Sequence, residues 1–144
     1  MRVERHCVID ADRDTVWKVV SDPDCYPSFM ANLARWETIT TGPMRVGSRY
    51  TVHWTIGSVP VGGVLEVVEF DEARDLAWTS VTGMTLRGRF RLREVHDGRV
   101  RITFRLSYQA PGGILGLIAD RVATRQVGRT LAATLKSLKA LVES

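Results

Sequence analysis

Hydrophobic and polar positions alternate over much of this sequence with the two-residue period of half-buried strands. The alternation predicts seven strands, at residues 2–9, 35–41, 48–56, 64–70, 76–81, 86–93 and 99–108. Gly57 and Pro60 mark a turn between the third and the fourth of these strands. From about residue 113 to residue 142 the hydrophobic positions instead follow helical spacing. The pattern predicts a sheet followed by one long helix.

Two short helices are predicted between the first two strands. Asp12 is the expected N-cap of the first helix, and Asp22 caps the second, with Pro23 at its first position. We expect the second helix to end near Tyr26-Pro27, because the residue before a proline avoids the α region. The predicted order is therefore strand, two helices, six strands and a long helix.

The last two strands can be placed in register from the sequence alone. A three-residue loop, His96-Asp97-Gly98, sets Phe90 opposite Phe104 and Leu92 opposite Ile102, whereas a two-residue turn mismatches the faces. Gly98 then supplies the left-handed residue that this loop needs. On the other face the same register pairs arginines, Arg93 with Arg101 and Arg89 with Arg105. Like charges directly opposite are unfavourable, so this stripe is expected to be solvated or neutralised by an anionic group.

The buried stripe of the long helix changes in character along its length. Its C-terminal half presents Leu131, Leu135, Leu138 and Val142 at helical spacing. Traced backwards, the stripe has only Leu117 and Val127 as bulky residues, and its other positions are glycine, threonine or aspartate: Gly128, Thr124, Asp120, Gly116 and Gly113. Because protein cores are close-packed, we predict a cavity between this half and the sheet. The alternative is that aromatic side chains from the sheet fill the space.

Four aliphatic residues of the same helix point away from the stripe: Ile114, Leu115, Ile118 and Val122. Arg121, Arg125 and Arg129 flank them. Three interpretations remain open for this face: a homodimer or partner contact, docking on a membrane surface, and coverage by the protein's own early loops.

Composition narrows the class of protein. The chain has 144 residues, 44% hydrophobic and 25% charged, which is typical of one globular domain spanning 1–144. No apolar leader is seen at the start and no stretch approaches a membrane span, and with only Cys7 and Cys25 no disulfide framework is expected. We therefore expect a cytoplasmic protein with free thiols.

Pro111-Gly112-Gly113 is expected to end the last strand.

The charged and titratable residues do not indicate a specific nucleic-acid, metal or cofactor site. The net charge is +4, and the segment 87–105, with seven arginines and two acidic residues, supplies the whole excess. Its polar face has no interleaved aromatic residues for base stacking, so no specific nucleic-acid partner is expected. His6, His53 and His96 are isolated, and neither a metal site nor a cofactor is expected.

The sequence resembles the START-like helix-grip (SRPBCC) superfamily, in its polyketide cyclase/dehydrase and lipid-transport branch. The resemblance spans essentially the whole chain and lies in four segments: Ile9-Asp10-Ala11-Asp12 with Val16-Trp17, Ser21-Asp22-Pro23 with Tyr26-Pro27-Ser28-Phe29-Met30, Gly88-Arg89-Phe90-Arg91-Leu92, and the long C-terminal helix. It implies an α+β fold in which a curved antiparallel sheet wraps around the C-terminal helix. A hydrophobic ligand would lie between the two.

The leading hypothesis is a non-catalytic carrier of a lipid, polyketide or isoprenoid-like molecule. Its predicted ligand-binding residues are Tyr50, Trp54, Trp78, Phe90, Phe104, Leu117, Asp120 and Thr124. Trp78 is the least certain of these, because the sequence does not settle which alternate residues of its strand point toward the core. A first alternative is an aromatase/cyclase-type enzyme, for which Asp120 is the one catalytic candidate. A second is an interaction module that uses the arginine stripe or the Ile114–Val122 face.

Overall fold

The computed structural model describes the backbone of residues 1–109 and 114–144, and the side chains of residues 1–109 and 124–144. The elements follow the predicted order. They are β1 (Arg2–Ile9), α1 (Arg13–Val20), α2 (Tyr26–Phe29), β2 (Leu33–Thr38), β3 (Arg49–Ile56), β4 (Val59–Asp71), β5 (Asp75–Ser80), β6 (Leu86–Glu94), β7 (Val100–Tyr108) and α3 (Ile114–Glu143), with a 3₁₀ turn at Pro23–Cys25.

The seven strands form one curved antiparallel sheet in the order β1-β7-β6-β5-β4-β3-β2, which does not close into a barrel. Alternate residues of each strand face α3, and this side is called the concave face below. On β7, for example, Ile102, Phe104 and Leu106 are fully buried there, while Arg101 on the opposite, convex face is exposed. The predicted α+β helix-grip fold is confirmed.

The predicted register of the β6–β7 hairpin is confirmed. Phe90 lies opposite Phe104, and Arg89 lies opposite Arg105. The loop closes with a hydrogen bond of 2.9 Å from the Val95 amide to the Arg99 carbonyl. Gly98 has a φ of 72°, in the left-handed region that the sequence required there. The alternation of core residues therefore determined the strand pairing.

The two predicted helix starts are correct, but the predicted end of the second helix is wrong. Asp12 accepts a hydrogen bond of 2.8 Å from the Thr15 amide, and Asp22 accepts one of 3.0 Å from the Asp24 amide. Instead of ending near Tyr26-Pro27, the chain continues into α2. Pro27 lies in the first turn of α2, where a helix needs no amide donor. The buried Tyr26 hydroxyl also donates to the Val20 carbonyl at 2.7 Å, which holds Tyr26 in helical conformation.

Two strand boundaries also differ from the prediction. Pro60 lies inside β4, opposite Thr55, and the turn before it consists of Gly57 and Ser58. Because β5 pairs with β4 only from Leu65 onward, the missing amide of Pro60 removes no bond on that side. β2 covers Leu33–Thr38 rather than residues 35–41.

Helix α3 is held against the sheet by its predicted apolar stripe and by two hydroxyl groups. Leu131, Leu135 and Leu138 are buried. Thr130 Oγ1 accepts a 3.0 Å hydrogen bond from the Gly57 amide, and Thr134 Oγ1 accepts one of 3.0 Å from the Ala31 amide. The helix therefore satisfies backbone amides of two loops.

The remaining predictions for the region before Thr124 lie outside the described residues. They are the strand end at Pro111-Gly112-Gly113 and the outward side chains of Ile114, Leu115, Ile118 and Val122. Within the part of the chain that is described, no helix combines the length and apolar character needed to cross a bilayer.

Replacing Thr134 by valine is expected to lower the free energy of unfolding by about 2 kcal/mol, because the shape is kept while the Ala31 amide loses its acceptor. Urea denaturation of both proteins measures the difference. Ser137→Ala, which removes an exposed hydroxyl from the same helix, is the control and should change stability by less than about 0.5 kcal/mol. Equal stability of Thr134→Val and the unchanged protein would contradict this role of Thr134.

Candidate functional site

The five predicted aromatic residues all lie on the concave face. Each is at most 2% exposed, and they come from four strands: Tyr50 and Trp54 from β3, Trp78 from β5, Phe90 from β6 and Phe104 from β7. Trp78, whose face of the strand was ambiguous in the sequence, points toward the core. The sheet therefore presents a continuous aromatic surface to the helix side.

The rings on this surface pack against one another. Phe90 and Phe104 stack with centroids 4.3 Å apart, and Trp54 lies parallel to Phe104 at 6.4 Å. Trp78 meets Trp54 and Phe104 edge-on, at 6.1 and 6.3 Å. Gly88, directly opposite Trp78 on β6, leaves the space that the indole occupies. Such offset and edge-to-face contacts fix the orientation of each ring.

One end of the aromatic surface is covered by rings that sequence reasoning missed. Tyr26 and Phe29 of α2 approach Phe90 at 6.4 and 6.2 Å, and Trp36 of β2 approaches Tyr26 at 4.3 Å. The i, i+3 spacing of Tyr26 and Phe29 could have indicated that both rings lie on one face of a helix. Because the predicted helix ended near Tyr26, this spacing was not recognised. At this end the protein's own rings occupy the concave side, so space for a ligand must be sought toward the other end.

The helix side of the predicted site is described from Thr124 onward. Thr124 is half-buried, and Val127 and Gly128 are buried. The side chains of Leu117 and Asp120 lie outside the described residues, and the catalytic role considered for Asp120 stays a prediction.

Arg5 is a charged residue on the concave face that sequence reasoning did not single out. It lies opposite Phe104 in the β1–β7 pairing, and its guanidinium lies against Gly128 so closely that a Cβ at position 128 would overlap it. Arg5 forms no ion pair with any described residue. The sequence did contain a sign of this position, because alternate residues of a strand share a face and Arg5 lies between Val3 and Cys7 on β1. Part of the space that Gly128 was predicted to leave open is occupied by this side chain.

Several polar atoms on the concave face and on α3 are buried without a hydrogen-bond partner among the described residues. They include the hydroxyls of Tyr108 and Thr124 and the indole nitrogen of Trp36. Buried polar groups in native proteins are normally bonded to protein, water or a ligand. These atoms are therefore candidate points of attachment for water or for the polar groups of a bound molecule.

The described cysteine thiols are not activated nucleophiles. Burial raises the pKa of Cys7, and burial together with the nearby Asp22 carboxylate raises the pKa of Cys25. Both thiols therefore stay protonated near neutral pH. Among the residues described, no three His, Cys, Asp or Glu side chains come together in a group that could hold a metal ion.

A concavity lies away from the predicted site. It is an open groove of about 520 Å³ between α1, the β2–β3 loop and the β4–β5 turn. Trp17 and Phe70 form its apolar floor, in edge-on contact at 5.2 Å. Lys18, Asp22 and Glu72 also line it, so three charged side chains lie at a groove that is open to solvent, unlike the enclosed pockets that bury most of a hydrophobic molecule.

Comparison with known families agrees with this architecture. The model of the family "Polyketide cyclase / dehydrase and lipid transport" matches residues 1–143. The chain belongs to this polyketide cyclase/dehydrase and lipid-transport family. The resemblance proposed from the sequence is thereby confirmed. No curated protein sequence matches the chain.

Solved structures share the fold of this family member at low sequence identity. A protein of Thermus thermophilus is 16% identical with a TM-score of 0.84, covering 99% of this chain and 97% of its own. A START superfamily protein of Mycobacterium smegmatis is 16% identical with a TM-score of 0.78, covering 99% and 97%. The Zhui aromatase/cyclase of Streptomyces sp. R1128 is 19% identical with a TM-score of 0.75, covering 99% and 93%. At these identities the likeness establishes the fold and nothing about chemistry.

Proposed function

We propose that this protein binds a hydrophobic small molecule, of lipid, polyketide or isoprenoid-like character, between the concave face and the N-terminal half of α3. The observation that carries the proposal is that the hydroxyls of Tyr108 and Thr124 are both buried without a hydrogen-bond partner among the described residues. Ligand pockets combine an apolar lining with a few polar groups that orient the ligand. The family's description as cyclases, dehydrases and lipid-transport proteins supports a ligand of this class.

The path of α3 supports placing both hydroxyls at the same end of the sheet. Lys139 Nζ donates to the Val8 carbonyl at 2.8 Å, and further back along the helix Gly128 lies against Arg5. The helix therefore runs in the same direction as β1, from Arg5 toward Val8. Thr124 precedes Gly128 by one turn and so lies beyond Arg5, toward the end of the sheet where β7 finishes at Tyr108. This end is opposite to the one that α2 covers.

Replacing Thr124 by tryptophan is expected to abolish ligand uptake while the protein stays folded, because the indole would occupy the proposed space. The probe is N-phenyl-1-naphthylamine, an uncharged apolar dye whose fluorescence rises in an apolar site. Saturable binding to the unchanged protein should weaken at least about a hundredfold in the variant, which corresponds to nearly 3 kcal/mol. Far-ultraviolet circular dichroism checks the fold.

Arg125→Trp is the matched control, since it adds the same indole to the exposed neighbouring position. It should bind the dye as the unchanged protein does. Undiminished binding by a folded Thr124→Trp protein would show that the dye lies elsewhere, and the absence of saturable binding to the unchanged protein would contradict the proposed function itself.

A further inference from the structure

The side chains on the convex face of β1, β7 and β6 form rows across the sheet because the strand register aligns them. One row contains Arg2, Ser107 and Arg87. The next row contains Glu4, Arg105 and Arg89. This face is separated from the proposed ligand site by the thickness of the sheet, so its chemistry is independent of that site.

Most of the arginine stripe predicted from the sequence is neutralised by acidic residues of neighbouring strands. Arg105 pairs with Glu4 at 3.0 Å, and Arg89 pairs with Glu69 at 3.0 Å. Asp75 serves both Arg91, at 3.2 Å, and Arg93, at 3.1 Å. Arg89 and Arg105, which face each other, are therefore both compensated by the protein itself. In the other facing pair Arg93 is compensated, whereas Arg101 forms no ion pair with a described residue.

The row of Arg2, Ser107 and Arg87 is not compensated in this way. Neither arginine forms an ion pair with a described residue. The acidic residue in line with them on β4, Glu66, is engaged by Arg49 at 2.7 Å. Two cations therefore flank the Ser107 hydroxyl with no described carboxylate to balance them.

A recess of about 120 Å³ opens at this place and is lined by Arg87, Arg89, Arg105 and Ser107. Its volume is large enough to hold a single tetrahedral oxyanion together with ordered water. All four side chains offer hydrogen-bond donors, and guanidinium groups match the geometry of phosphate oxygens. A neighbouring recess of about 90 Å³ includes the Glu4 carboxylate, which disfavours an anion there.

We propose that the recess lined by Arg87, Arg89, Arg105 and Ser107 binds a phosphate group, carried either by a small phosphate ester or by a phospholipid headgroup. Arg87 supplies the uncompensated charge, and Ser107 donates from the centre of the row. Arg89 and Arg105 contribute the guanidinium hydrogens that Glu69 and Glu4 leave free. The proposal concerns the convex face and stands whether or not a hydrophobic molecule binds on the concave face.

Titration with inorganic phosphate, followed through the Nε–Hε resonances of the arginines and the Ser107 amide, tests the recess. Saturable shifts are expected at Arg87, Arg89, Arg105 and Ser107. Arg87→Gln should weaken phosphate binding about tenfold or more, since it removes a charge-assisted hydrogen bond. Ser107→Ala should weaken binding about fivefold without changing the charge.

Arg101→Gln is the matched control, because it removes an equal charge from the same strand pair and the same face, outside the recess. It should weaken binding less than about twofold. Equal weakening by Arg87→Gln and Arg101→Gln, or shifts that do not saturate, would overturn the proposal by showing only diffuse attraction.

Sedimentation with phosphatidylcholine vesicles, with and without phosphatidic acid, distinguishes the two sources of the phosphate group. Binding that requires phosphatidic acid and is lost in Arg87→Gln would assign the recess to a lipid headgroup. Site-specific binding of inorganic phosphate without vesicle binding would assign it to a small phosphate ester. Failure in both assays would overturn the proposal, and neither assay depends on the dye experiment for the concave face.

Discussion

Replacing Gly88 by valine is expected to lower the free energy of unfolding by about 3 kcal/mol, the upper end of the usual cost of overpacking a core. An ideal Cβ at position 88 would overlap the six-membered ring of the Trp78 indole. The indole cannot move aside cheaply, because Trp36, Trp54 and Phe104 surround it with edge-on ring contacts. Chemical denaturation, with near-ultraviolet circular dichroism to report on the tryptophans, measures the effect.

Two further variants separate this contact from a general effect on the strand. Gly88→Ala should also destabilise, although replacing glycine inside a strand usually stabilises by up to about 1 kcal/mol. In a Trp78→Leu background the cost of Gly88→Ala should largely disappear, because the indole that a Cβ would meet is gone. A stabilising Gly88→Ala in the unchanged background would contradict the proposed packing.

Replacing Phe104 by alanine is expected to destabilise the protein by about 4 kcal/mol, within the range for deleting a buried phenyl ring. Phe104 is fully buried and touches three other rings, with the closest centroid, that of Phe90, at 4.3 Å. The surrounding rings are held by their own contacts, so they are expected to close the void only in part. Urea denaturation measures the loss.

Phe104→Leu is the control, since it keeps most of the apolar volume and should cost about 1.5 kcal/mol or less. Benzene enters engineered apolar cavities, so it should raise the melting temperature of Phe104→Ala and leave that of the unchanged protein almost unaltered. If benzene has no effect and the loss is below about 1 kcal/mol, the rings have repacked and the aromatic surface is less rigid than its geometry indicates.

The parts of the fold that were predictable are those in which local pattern and long-range pairing agree. The β6–β7 register follows from matching buried faces, because a shift of one residue would turn Phe90 toward solvent. Gly98 confirms the loop length independently through its left-handed conformation. The apolar stripe of α3 at Leu131, Leu135 and Leu138 was likewise readable, since burial alone determines it.

The parts that were not predictable depend on contacts between distant segments. Tyr26 stays helical before Pro27 because its hydroxyl reaches the Val20 carbonyl and its ring is buried against Trp36. Arg5 is exposed, as expected for an arginine, but the missing side chain at Gly128 also allows its guanidinium to lie against the helix. No pattern within a single segment reports either contact. For the same reason the aromatic residues of the candidate site were found, but not the α2 rings that cover one end of it.

The order of the strands has a consequence for how the chain assembles during synthesis. β2 to β6 can pair one after another as each emerges, since every neighbour in that part of the sheet is consecutive in sequence. β1 emerges earlier but pairs only with β7, so residues 2–9 have no partner strand until residues 100–108 have been made. Such a long-range closure is slow relative to hairpin formation. β1 is therefore the last of the seven strands to join the sheet, although it is made before the other six, and until then its apolar side chains are open to binding by chaperones.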